Sequence, residues 1–80
     1  MPSRGRKIDL LKREGFRYHF DREVYYNQRL KKIFSLEWIE DHDEGWLKRG
    51  IEEPGAKWKF YFNQEPSVTV GELIIRELSR

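Results

Sequence analysis

Cysteine is missing from the 80 residues, so disulfides and thiolate metal sites are excluded, and the composition suits a reducing cytoplasm. The six glycines stand apart from one another. No phosphate-cradling glycine loop and no dinucleotide fingerprint can be built from them. No apolar run approaches the roughly 18 residues of a membrane span. The basic N-terminus is not followed by the apolar core of a signal peptide. A soluble cytoplasmic protein is expected. Ser3, Ser35 and Ser67 fall in an arm, a cap and a loop, with nothing resembling a nucleophile elbow, so no nucleophilic triad is assembled.

What the chain does have is charge and rings, at 38% charged and 15% aromatic residues, which separates it from a disordered tail. The net charge of +2 is unevenly spread. Residues 1–34 hold ten basic against four acidic side chains, whereas residues 35–56 hold two against seven. A basic N-terminal half and an acidic middle either offset each other inside the fold or face a partner.

The stretch Lys57–Phe62 alternates Trp58, Phe60 and Phe62 with Lys57, Lys59 and Tyr61. A period of two marks a half-buried strand. Phe16, Tyr18 and Phe20 alternate in the same way with Arg17 and His19. Val24–Asn27 resumes an extended pattern, and Lys31–Phe34 gives a third, shorter strand, so the three make an antiparallel meander. The Asn-Gly or Asp-Gly signature of the tightest hairpins is absent.

Helix signals occupy the remainder. Ile8–Glu14 carries helical apolar spacing and is closed by Gly15. Ser35 reads as an N-cap, and Asp43 as a second one after a break at Asp41–Glu44. Glu53-Pro54-Gly55 is a stop. Thr69-Val70-Gly71-Glu72 has the form of a capping box, and Val70, Leu73, Ile74 and Leu78 follow the 3.6-residue period.

The expected architecture is a single two-layer α+β domain over residues 8–80, preceded by a flexible basic arm at residues 1–7. Its mostly antiparallel sheet of three to four strands carries two to three helices packed on one face. If the helices lie on the Trp58-Phe60-Phe62 face, the opposite face is bare. That bare face would present Arg17, His19, Tyr25, Lys57, Lys59 and Tyr61 as the binding surface.

The sequence offers four functional readings. Asp41-His42-Asp43-Glu44 offers metal-ligand types, but consecutive helix positions point apart, so no metal and no cofactor is expected. His19 beside Arg17 has the elements of phosphodiester acid–base chemistry. The helix–glycine–strand segment Leu10–Phe16 resembles the opening of small toxin ribonucleases with a double-stranded-RNA-binding-like fold. Their Gly-Ser-His strand motif has no counterpart here, and no catalytic residue is assigned. Tyrosines that stack on bases beside lysines that neutralise phosphates suit nucleic acid. Exposed aromatics and arginine suit a protein partner or a homodimer. The expectation is a non-enzymatic binding domain acting through protein–protein interaction or self-association, with nucleic acid as the alternative.

Overall fold

The computed structural model describes residues 3–79. Its hub is a segment that reads as minor in the sequence, β3 (Lys32–Ser35). Ile33 and Phe34, adjacent and so pointing to opposite faces, are both 0% exposed. Adjacent apolar residues in a strand mean burial on both sides. β3 is central in a sheet of order β1-β2-β3-β4, where β1 spans Arg17–His19, β2 Val24–Asn27 and β4 Lys59–Tyr61. β1, β2 and β3 form the expected antiparallel meander, and β4 lies parallel to β3. One register row runs Tyr18, Tyr25, Phe34, Tyr61, and the next runs Arg17, Tyr26, Ile33, Phe60.

Those rows face different helices. On the Phe34 side lie α1 (Ser3–Arg13), α2 (Leu36–Asp41) and α3 (Glu44–Glu52), and Leu11, Phe16, Tyr25, Ile39, Leu47 and Ile51 pack there with Phe34. On the Ile33 side lies α4 (Val68–Leu78), whose Ile74 and Leu78 pack with Val24 and Ile33. The α+β class, the single domain and the mostly antiparallel four-stranded sheet are as expected, but the group of three helices lies on the Phe34–Tyr61 face and not on the Trp58-Phe60-Phe62 face. α4 adds a layer on the other face, so the sheet has no bare side. Trp58, Phe60 and Phe62 meet α4, whereas Tyr61 faces the three-helix side.

α1 ends in a Schellman motif. Gly15, at φ 93°, donates its N–H to the Lys12 carbonyl, and Phe16 N–H reaches the Leu11 carbonyl. Leu11 and Phe16 both belong to the core on this face. α1 begins at Ser3, so residues 3–7 of the expected arm are its first turns. Met1 and Pro2 lie outside the described residues.

Two buried lysines finish the other helices on this face. Lys7, 3% exposed, donates from Nζ to the carbonyls of Ile39 and His42 at the end of α2. Lys32, 2% exposed, donates to Gly50, Ile51 and Glu53 carbonyls at the end of α3. An ammonium at a helix C-terminus meets both the orphan carbonyls and the negative end of the dipole. Burial holds the Lys32 ammonium below the ordinary lysine value.

The expected caps of α2 and α3 are present. Ser35 accepts from Trp38 N–H at 3.1 Å and Asp43 from Trp46 N–H at 2.9 Å. The capping box of α4 is displaced. Its N-cap is Ser67, which accepts from Val70 N–H at 3.2 Å, because the helix starts at Val68 directly after Pro66-Ser67. Thr69 is then inside the first turn. The helix also seats on Gly71, whose absent Cβ would come 3.3 Å from the Phe60 ring. That contact leaves Val70 and Leu73, expected in the core, 39% and 41% exposed.

Candidate functional site

The break between α2 and α3 builds a cleft. Trp38 on α2, His42 at its C-cap and Trp46 on α3 follow one another at four-residue spacing, and Arg49 continues the line. The Trp38 and His42 rings stack at 3.9 Å with 14° between planes, held by a 2.9 Å contact of His42 Nδ1 with the Trp38 carbonyl. Trp46 meets His42 edge-on at 6.3 Å, and the Arg49 guanidinium lies 5.4 Å from the Trp46 ring centre. Across the gap, Tyr61 on β4 stands edge-on to Trp38 at 5.4 Å and stacks flat on buried Phe34 at 4.3 Å. The result is an open cleft of about 620 Å³ walled by Trp38, His42, Trp46 and Tyr61, with Arg49, Glu52 and Glu53 at its edge.

The rim is fixed by polar contacts. Tyr61 Oη donates to Glu53 Oε2 at 2.9 Å and lies 3.2 Å from the Gly50 carbonyl. Burial, and next the bond to Glu53, push the Tyr61 phenol well above its ordinary value. Glu53 also pairs with Lys59 Nζ at 2.8 Å, and the hydrogen bonds from Lys59 and Tyr61 hold its carboxyl below the usual range. Trp46 is the prominent wall, 55% exposed despite its size.

The six residues expected on one surface are divided. Lys59 and Tyr61 meet at the rim of this cleft. Tyr25 is 8% exposed and belongs to the core, because its face is the one α1, α2 and α3 cover. Arg17 and His19 point to the opposite, α4 side of β1, in register with Tyr26 and Val24. Lys57 is exposed ahead of β4. His19 Nδ1 is buried without a hydrogen-bond partner among the described residues.

The Asp41–Glu44 run divides into separate tasks. Asp41 accepts from Asn63 Nδ2 at 2.8 Å, His42 stacks on Trp38, Asp43 caps α3, and Glu44 lies 3.4 Å from Arg6. Among the described residues no group of three or more such side chains is placed to hold a metal ion. The Arg6–Glu44 pair also brings the basic first helix onto the acidic middle, offsetting part of the charge asymmetry.

Sequence reasoning missed Trp38, Trp46 and Arg49 as a set. The available signal was the spacing of Trp38, His42, Trp46 and Arg49, one residue per turn along two successive helices. Among the described residues no helix is long and apolar enough to cross a membrane. No protein-family model, no curated protein and no solved structure matches this chain.

Proposed function

We propose that the chain is a non-enzymatic protein-recognition domain of the cytoplasm whose aromatic cleft seats side chains of another polypeptide, a second copy or a different protein. The observation that carries this reading is Trp46, 55% exposed on the wall of a cleft shared with Trp38, Tyr61 and Arg49. Trp, Tyr and Arg are the residue types that dominate interface energy, and they do so when seated in a concave, desolvated pocket. The walls are also prearranged. Trp38 is stacked, Tyr61 is clamped between Phe34 and Glu53, and little side-chain freedom remains to be lost on binding.

Two measurements test it. Sedimentation velocity of wild type and Trp46→Ala from 5 to about 200 µM reads self-association, which the variant is expected to abolish. A random-peptide display selection on wild type, counter-selected on Trp46→Ala, reads a different partner and is expected to enrich an aromatic or long aliphatic anchor. A monomer throughout, together with a selection that enriches nothing, would remove this function.

A further inference from the structure

The basic N-terminal half of the chain is only partly absorbed by contacts with the acidic middle. The topology gathers much of the remainder at one end of the sheet, where α1 ends, β1 begins, β2 turns into β3, and α4 ends. Lys12 and Arg13 occupy the last turn of α1, Arg17 opens β1, and Arg29 lies in the turn after β2. At the other end of the strands Glu23, Glu37 and Glu40 outnumber Arg22 around the start of α2.

At the basic end lies an open cleft of about 470 Å³, lined by Arg17 and Arg29 with Tyr26, Gln28 and the Glu14-Gly15 corner. Both arginines are exposed, and neither enters an ion pair among the described residues; those pairs join Arg6–Glu44, Arg22–Glu77 and Lys59–Glu53. The floor beneath them is rigid. Asn27, 5% exposed, donates from Nδ2 to the Glu14 carbonyl at 3.0 Å and accepts Leu30 N–H at 3.0 Å, tying α1 to the β2–β3 turn. Gln28 Nε2 donates to the Leu78 carbonyl at 2.6 Å, which ties in α4 and answers a carbonyl at its negative end.

We propose that this cleft binds a phosphate group, with Arg17 and Arg29 supplying two guanidinium forks to its oxygens. A planar fork matches phosphate geometry, and the backbone that carries both forks is braced. Among the described residues Glu14 is the one carboxylate in the lining, and it works against the anion. The phosphate is carried either by a polynucleotide backbone or by a small phosphate compound.

The experiment is an amide-resolved NMR titration of the full chain at low salt, with inorganic phosphate in one arm and a single-stranded oligonucleotide in the other. Both ligands are expected to move the amides of Gly15, Arg17, Gln28 and Arg29. Arg17→Gln and Arg29→Gln are expected to weaken binding roughly tenfold each. Glu14→Gln is expected to tighten it a few-fold, and Lys48→Gln on α3 to leave it unchanged. Oligonucleotide affinity should fall with salt at a log–log slope of about −0.7 for the one phosphate held in the cleft. An oligonucleotide bound at least tenfold more tightly than phosphate identifies the polynucleotide backbone, and equal affinities identify a small phosphate compound. No movement of these amides in either arm, or movement that survives the double arginine variant, overturns the proposal.

Discussion

The two faces of the sheet are built to different standards. On the α1–α3 face Phe34 is completely buried, Tyr61 stacks on it, and two buried lysines finish the helix ends above it. On the α4 face Ile33 is equally buried, but Trp58, Phe60 and Phe62 are only partly covered. The cause is width. Four strands at about 4.8 Å spacing are wider than one α-helix, about 10 Å across with its side chains. One helix shields the two central strands and leaves the outer ones half-open. The three-helix face is therefore where stability concentrates, and the candidate cleft gains its rigidity by growing from that face.

The largest effect expected from this contrast comes from truncating one ring on each side. Phe34→Ala removes a fully buried ring that three other rings touch. It is expected to cost about 4 kcal/mol in denaturant unfolding. Phe60→Ala, at a half-covered position on the neighbouring strand, is expected to cost about half of that. Equal losses would break the comparison. The lysine caps come next. Lys32→Met keeps the volume but leaves the carbonyls of Gly50, Ile51 and Glu53 without their donor. A loss of about 2–3 kcal/mol is expected from orphaned buried acceptors, offset in part by removing a buried charge. A neutral Lys32→Met would show that water reaches these carbonyls and that the face is less closed than it looks.

How legible all this was depends on range. The caps at Ser35 and Asp43, the glycine stop at Gly15 and the antiparallel meander are written within a few residues, and each is in place. Which face of β4 is the inner one is not local information. Alternation marks Trp58, Phe60 and Phe62 as one side, but it gives no sign that helices also cover the Tyr61 side. That is settled by Ile33 and Phe34, two adjacent apolar residues in β3 that demand cover on both faces. The expected site dissolved for the same reason. Tyr25 went into the core, and Arg17 and His19 turned to the other side. The long reach of Lys7 and Lys32 to helix ends 32 to 35 and 18 to 21 residues away also leaves no sequence period behind it.

A matched pair of glycines sharpens the contrast at smaller amplitude. A Cβ on Gly50 would stand 3.0 Å from the buried Phe34 ring and 3.2 Å from Tyr61, and one on Gly71 would stand 3.3 Å from Phe60. Alanine in place of a mid-helix glycine gains up to about 1 kcal/mol in backbone propensity. On the closed face, overpacking against a ring that cannot move exceeds that gain, so Gly50→Ala is expected to lose about 1 kcal/mol net. On the open face Phe60 can yield, so Gly71→Ala is expected to be neutral or stabilising by thermal melt. The same sign at both sites would mean that the α4 face is packed as tightly as the other.

The smallest effect is electrostatic and sits at the rim of the cleft. Tyr61→Phe removes the hydrogen bonds to Glu53 and Gly50 and is expected to cost about 1 kcal/mol at neutral pH. Its pH dependence carries more information than its size. The Tyr61 phenol is raised in the folded state, so above pH ~10 the unfolded chain releases that proton first. The stability it contributes is complete below that pH and is lost as pH rises further. Lys32, lowered by burial, acts with the opposite sign in the alkaline range, and it is present in both proteins. The gap between wild type and Tyr61→Phe should therefore narrow as pH is raised from 9.5 towards 11.5, measured by urea unfolding at each pH. A constant gap would show that the Tyr61 hydroxyl faces water and that the clamp holding this wall of the cleft is not formed.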